Sequence, residues 1–358
     1  MIHLKTYNKR ELRELVSSGD FRKHDFLPVT EHRALSHIQN PKADEDQILL
    51  ILAFDDDELA GYIGCLPDYF KSSSQIFRYA WLSTLYISNK FRGKRIAQTL
   101  LNKVFEVYNG NIAVTEFTPE AEGLYKKTGV FRYLEPKRGK RYYFRTDLAH
   151  ILPLKKPNTK TLRPALEITD SILNTAIEVK NCFISKPKFK FEVLNKIDSG
   201  SLEFLTQFHS YRNKNEINWG IENPWVLEGK KDEDYLFSSF SDKFKYFWVK
   251  IYDKKNSLSI CSLLLVRDGH LKIPYLFSHS DLEPFVDFLS YFIVSHKIIT
   301  LTSYQARLNE KIADSGKFPK IHERPLERRY IFHHQLLANL PENFTPDFQD
   351  GDGDCMMT

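Results

Sequence analysis

Apolar positions along the first part of the chain change period several times, and each change marks an element. Residues 8–16 and 29–39 repeat their apolar positions at helical spacing, and Thr30 stands where an N-cap belongs. Residues 47–54 form a nearly continuous apolar run of strand length. The acidic turn 55–58 leads into a second run, 59–66, and two such runs across a short polar turn predict a hairpin. A third strand is expected over 81–87. Ile96, Leu100, Leu101, Val104 and Phe105 then return to helical spacing over 96–108, and 112–117 reads as strand. Thr118-Pro119-Glu120 opens a helix, because Thr caps, Pro suits the first turn and Glu meets the positive end of the helix dipole. Gly129 ends that helix as a left-handed cap. Strands at 130–134 and 141–146 are expected to close a first domain over 1–147.

Residues 148–165 carry Pro153, Pro157 and Pro164 with little periodicity, which reads as a linker. Beyond it the same order of elements returns. Apolar runs at 247–252 and 258–266 flank a polar turn at 253–256. A strand at 270–277, a helix at 281–296, a strand at 297–303, a helix at 306–316 and strands within 320–334 follow. The sequence His37-Ile38-Gln39-Asn40-Pro41 has an echo in Gly220-Ile221-Glu222-Asn223-Pro224. A duplicated α+β domain, its second copy over 166–340, accounts for length and pattern; two unrelated α+β domains also fit so short an echo. The last stretch, 341–358, has Asp347, Asp350, Asp352 and Asp354 and reads as a disordered acidic tail.

Composition narrows the function. With 42% hydrophobic and 27% charged residues among 358, the chain reads as soluble and globular. No apolar run reaches the ~20 residues of a membrane span, and the charged N-terminus does not read as a signal peptide, so a cytoplasmic protein without membrane contact is expected. Cys65, Cys182, Cys261 and Cys355 lie far apart with no metal-ligand spacing, so reduced structural thiols and no metal are expected. A net charge of +5 is too mild to indicate nucleic acid.

Charge is nevertheless concentrated. Lys90, Arg92, Lys94 and Arg95 fall in a short turn between the strand at 81–87 and the helix at 96–108. The first amides of a helix have no intrahelical partner and its dipole adds positive potential, so such a turn can bind phosphate. Gly93 lets backbone approach a ligand and Ala97 keeps the helix start uncrowded. A solvated basic surface is the other reading of this turn taken alone.

The stretch Arg92-Gly93-Lys94-Arg95-Ile96-Ala97 resembles motif A of the GNAT superfamily of N-acetyltransferases, Arg/Gln-x-x-Gly-x-Gly/Ala, with Arg95 where the family usually has glycine. Leu124-Tyr125, with Gly129 and Phe131 after it, resembles the family's second signature; the family's asparagine near the start of that helix is Thr118 here. The resemblance covers roughly residues 1–147. It implies the acyl-CoA N-acyltransferase (GNAT) fold, a mixed central sheet flanked by helices. It also implies acetyl-CoA as acyl donor, lying in a V-shaped split between the strands 83–87 and 112–117. Pantetheine would pair with backbone along Leu85, Tyr86 and Ile87, and pyrophosphate would sit on the amides of Arg92, Gly93, Lys94, Arg95, Ile96 and Ala97. An amine would attack the thioester directly while Tyr125 protonates the leaving thiolate.

The general base is not fixed by the family. Glu116, at the end of a central strand, is the first candidate, with Asp68, Glu31 and His32 behind it. The acceptor is an amine of a small molecule, sugar or peptide, bound by residues 20–40 and 66–80 and by the second half. That half has Ser278 to Glu283 in place of a glycine-bearing basic turn and Ile312 in place of the tyrosine, so it reads as a degenerate copy without chemistry. Two other functions stay open: a non-catalytic acyl-CoA sensor or scaffold, and an aminoacyl-tRNA-dependent peptidyl transferase.

Overall fold

The computed structural model describes residues 1–72, 75–208, 212–230, 233–342, 344 and 346–358. Among these, the chain divides into two units, each assembled from separated segments. Met1–Lys137, Ile197–Asp242 and Arg328–Thr358 form the first; Arg138–Lys196 and Lys243–Glu327 form the second. The expected division at 148–165 does not coincide with this one. That stretch is largely helical, as Leu148–Lys155 and the start of Arg163–Lys180, since Pro164 sits in a first turn where its missing N–H costs nothing.

The first sheet runs, in spatial order, Ile2–Tyr7, Leu50–Asp55, Glu58–Ser72, Gln75–Ile87, Ile112–Thr115, Tyr330–His333 and Phe131–Tyr133. Neighbours are antiparallel except Gln75–Ile87 and Ile112–Thr115, which are parallel. The expected hairpin is present and its second strand is longer than its apolar run. Ile2–Tyr7 was not expected, although it alternates half-buried and exposed positions. Helices Ile96–Val107 and Pro119–Thr128 cover one face, where Leu100, Leu101 and Val104 pack on Ile63, Ala80, Ile112 and Val114. Helices Lys9–Ser18 and Glu31–Ile38 cover the other, with Leu12, Leu15 and Ala34 on Leu50, Leu52 and Tyr62. Their starts are capped locally: Asn8 and Glu11 form a reciprocal box, and Thr30 accepts from the Arg33 amide at 3.2 Å.

Two elements depart from the expected domain. The strand predicted over 141–146 lies at Lys137–Tyr143 and belongs to the second sheet, where it pairs with Thr300–Ser303. Tyr142 and Phe144 are buried in the second core beside Phe318. In the first sheet its place is taken by Tyr330–His333, which lies between Ile112–Thr115 and Phe131–Tyr133 and buries Ile331. Each sheet is thus completed by a strand from the other half of the sequence.

Among its described residues the acidic tail is packed rather than disordered. Phe348 stacks on Tyr330 with centroids 4.5 Å apart, and Cys355, Met356 and Met357 are buried. The Trp225 amide donates to the Met357 carbonyl at 2.9 Å, and Arg328 donates to the Asp350 carbonyl at 2.8 Å. Buried Asp352 accepts from Arg212 at 2.8 Å. The tail's four apolar side chains and its pairing with arginines outweigh its composition.

The second sheet runs His322–Arg328, Lys137–Tyr143, Thr300–Ser303, His270–Ser278, Leu258–Arg267, Phe244–Tyr252 and Phe191–Leu194, with helices Glu283–Ser295 and Ala306–Asp314 in its core. Its parallel pair is His270–Ser278 with Thr300–Ser303, in the position the first sheet gives to Gln75–Ile87 and Ile112–Thr115.

Candidate active site

Strand pairing sets the site. Gln75–Ile87 bonds to Ile112–Thr115 only through Ala80↔Ile112 and Trp81↔Ala113. Past Trp81 the two strands part, while Gln75–Ile87 stays paired on its other side as far as Gly61↔Ile87. From Leu82 to Ile87 one edge of the strand is therefore open to a ligand. Its register against Glu58–Ser72 slips between Tyr62 and Gly64, a bulge centred on Thr84, whose φ is 49°. Across the gap Glu116, just past the other strand, has φ 52°. A left-handed backbone is costly for an ordinary side chain and most of all for a β-branched one. Both walls of the fork thus carry local strain where they diverge.

A cavity of about 680 Å³ fills the fork's open end. Leu85, Tyr86 and Ile87 line one wall, and Thr118, Glu120, Ala121 and Leu124 line another. The end is formed by Phe91, Arg92, Gly93, Arg95, Ile96 and Ala97. Gly93 at φ 89° and Arg95 at φ 62° curl the turn so that its amides converge, and helix Ile96–Val107 starts with no side-chain cap. A Cβ on Gly93 would meet nothing within 4 Å, so its glycine serves the backbone conformation rather than packing.

The basic residues of this turn separate into two groups. Lys90 pairs with Glu58 and Lys94 with Asp55, both on the hairpin, and Lys94 is not in the cavity wall. Arg92 and Arg95 line the cavity. Glu120 faces the same space, its carboxyl held below its ordinary value by its own amide, by Thr118 and by Arg92. Helix Pro119–Thr128 begins and ends as expected: Thr118 accepts from the Ala121 amide at 3.3 Å, and Gly129 takes φ 71°.

Tyr125 lies one residue beyond the cavity-lining Leu124. It is buried, with Phe117 and Phe131 edge-on at 6.0 and 5.3 Å, and burial pushes its phenol well above the ordinary value. It therefore stays protonated at any physiological pH. Glu116 is half exposed and receives the buried Arg328 guanidinium at 3.0 Å. The other carboxylate and imidazole candidates have structural partners. Asp68 is fully buried; burial would raise its carboxyl, but Arg212 and Lys42 overcome this and hold it far below the carboxylate range. It also accepts from the Trp81 indole at 2.8 Å. Glu31 pairs with Arg22 at 2.6 Å, and the His32 ring lies 3.0 Å from the Trp225 carbonyl. Burial raises the Cys65 thiol, consistent with a structural role.

The C-terminal tail also reaches this region. Gly353 of the tail packs so closely that a Cβ there would lie 3.2 Å from Thr115 and 3.5 Å from the Trp81 ring. The tail thus covers the floor of the fork on the face opposite helices Ile96–Val107 and Pro119–Thr128.

In the second unit the matching fork is laced shut. Arg307 donates to the carbonyls of Ser278 and Ser280 at 3.3 and 3.2 Å, Lys311 pairs with Asp281 at 2.9 Å, and Ile312 is buried. Asp281 and Glu283 stand where a phosphate would need positive charge.

Residues 11–130 match the family described as Acetyltransferase (GNAT) family. No curated protein matches the sequence. Solved structures are similar at the level of fold. A protein from Enterococcus faecalis V583, described as a probable N-acyltransferase, superimposes with TM-score 0.52 at 10% identity, over 94% of this chain and 73% of that one. A tandem GNAT protein from the clavulanic acid biosynthesis pathway gives TM-score 0.52 at 7% identity, over 93% of this chain and 98% of that one. The Saccharomyces cerevisiae N-myristoyltransferase with bound myristoyl-CoA gives 0.50 at 10% identity, over 93% and 79%.

Proposed function

We propose that the first unit, in which residues 11–130 match the acetyltransferase (GNAT) family and whose fold is repeated in the second half, transfers a short acyl group from acyl-CoA to an amine. The observation that carries this is the continuity of one cavity from the strained fork to the curled, uncapped helix start with Arg92 and Arg95. An elongated thioester with a phosphate-bearing end fits a cleft that is apolar at the fork and cationic at its far end.

Acetyl-CoA is the donor that the floor of the fork favours. Leu82 and Val114 are buried there beside Tyr125, and Trp81 and Gly353 close the opposite face.

In this reading the backbone from Leu85 to Ile87 holds the pantetheine arm, and the amides from Arg92 to Ala97 hold the pyrophosphate. The amine nitrogen attacks the thioester carbon, the C–S bond breaks, and the thiolate takes its proton from the Tyr125 hydroxyl. Glu116, steadied by Arg328 at the end of the parting strand, receives the proton the amine loses, through water. A non-catalytic acyl-CoA sensor is the second reading. It is favoured by the position of Tyr125 behind Leu124 rather than in the cavity wall.

Thiol release from acetyl-CoA over a panel of amines separates the two. Turnover that Tyr125→Phe lowers tenfold or more, with acetyl-CoA affinity unchanged, supports transfer. Tight binding without release for any amine favours the sensor.

A further inference from the structure

Helix Arg163–Lys180 of the second unit leaves several large apolar side chains exposed. Its inward face sets Leu166 and Ile177 beside two polar anchors: Asp170 is buried and accepts from the amides of Leu148 and Ala149, each at 2.9 Å, and Asn174 exchanges hydrogen bonds with Thr146 at 2.9 and 3.0 Å. Its outward face is apolar. Ile168, Ile172 and Val179 are 64%, 65% and 66% exposed, and their spacing of four and seven residues places them on one stripe. Phe183, 89% exposed, follows the helix end, four residues after Val179. An isolated exposed apolar residue is ordinary, but large apolar residues recurring exposed on one face of a five-turn helix mark an interaction surface.

The charge around the stripe says what covers it. Lys155, Lys156 and Lys160 precede it, and Lys186, Lys188 and Lys190 follow; all six are exposed. Residues 155–190 hold eight Lys and Arg against three acids, one of which is the inward Asp170. That net +5 equals the net charge of the entire chain, so the remaining residues balance to zero. An apolar stripe bracketed at both ends by long cationic side chains matches the surface of an anionic bilayer: the aliphatic groups enter the acyl boundary and the lysines reach lipid phosphates. Among the described residues no helix is long and apolar enough to cross a membrane, so the contact is peripheral. We propose that the second unit docks the protein on anionic lipid through Ile168, Ile172, Val179 and Phe183, with the flanking lysines on the headgroups. The second unit, with Asp281 and Glu283 where a phosphate would need positive charge, then serves as the membrane contact of the protein.

Vesicle co-sedimentation of the full chain tests the proposal. Phosphatidylcholine vesicles with roughly one-third phosphatidylserine should bind it, pure phosphatidylcholine should bind at least tenfold less, and raising salt from ~0.1 to ~0.5 M should weaken binding. Ile168→Ser/Ile172→Ser/Val179→Ser and, separately, Lys155→Glu/Lys156→Glu/Lys186→Glu should each lower the partition coefficient tenfold or more. Both variants alter only exposed positions, so an unchanged melting temperature and unchanged acetyl-CoA binding confirm an intact fold and separate this proposal from the enzymatic one. Absence of binding to the anionic vesicles overturns it, as does binding that the serine variant leaves unchanged. A wild-type dimer in sedimentation, dissociated by the serine variant and without affinity for vesicles, would assign the stripe to a second copy of the chain and also overturn it.

Discussion

Arg212 donates both terminal guanidinium nitrogens to the Asp68 carboxylate, at 3.1 and 2.6 Å, across 144 residues of sequence. Its remaining nitrogen reaches Asp352, and Lys42 pairs with Asp68 and with Glu216. Five buried charged groups from four stretches of chain thus hold the first unit together beneath Trp81.

Removing one member leaves the others desolvated without their counter-charge. Asp68→Asn should therefore destabilise the fold by about 3–5 kcal/mol at neutral pH. The folded carboxyl titrates far below its unfolded value near 4, so its contribution is complete above that pH and lost below it. The deficit of the variant, measured by denaturant unfolding, should accordingly shrink in acid. A deficit that is constant from neutral pH into acid would contradict the account.

A second pH dependence comes from His37, buried and stacked on Trp225 at 5.2 Å. Burial, aided by Arg33, pushes it down to about 3, so it is neutral in the fold and takes a proton first in the unfolded chain. Its contribution is full above the unfolded value of about 6.5 and falls as pH drops, by about 2 kcal/mol at pH ~5. His37→Phe should make stability less steep by that amount over the interval. The slope that persists belongs to groups such as His270 and His333, pushed down to about 3 and about 4.

Arg95 combines a charge with a strained backbone, and the two can be separated. At φ 62° glycine carries no Cβ penalty, so Arg95→Gly should raise stability by about 0.5–1 kcal/mol in thermal unfolding. Arg95→Ala keeps the strain and loses the charge; it should leave stability unchanged or lower. Equal melting temperatures for the two would argue against a strained turn.

The tail should behave as core. Amides of residues 350–357 should exchange slowly with solvent, and Phe348→Ala should cost about 3–5 kcal/mol by emptying the site against Tyr330 and Trp81. Rapid exchange throughout the tail would contradict the packing described.

Local rules made much of this legible in the sequence. Thr30, Thr118 and Gly129 delimit helices through contacts three residues away, and the hairpins follow from apolar runs around short polar turns. The turn proposed to hold phosphate was legible because its residues, Arg92–Ala97, are consecutive. The exchange of Lys137–Tyr143 for Tyr330–His333 was not, since each is a short strand whose sheet is set by distant partners rather than by its own pattern. Residues 197–242 likewise fall within the expected second domain, yet Trp225 and Arg212 pack in the first unit. Asp350 and Asp352 read as solvated until Arg328 and Arg212 are placed beside them. Nothing in the identity of Thr84 or Glu116 announces a left-handed backbone; the parting of the strands imposes it.

The central claim is that the cavity at Arg92–Ala97 binds acyl-CoA, and calorimetric titration of the full chain with acetyl-CoA tests it most directly. The account predicts micromolar binding that Arg92→Ala/Arg95→Ala weakens tenfold or more, about 1.4 kcal/mol. No detectable binding by the folded protein, or equal binding by the double variant, would contradict it.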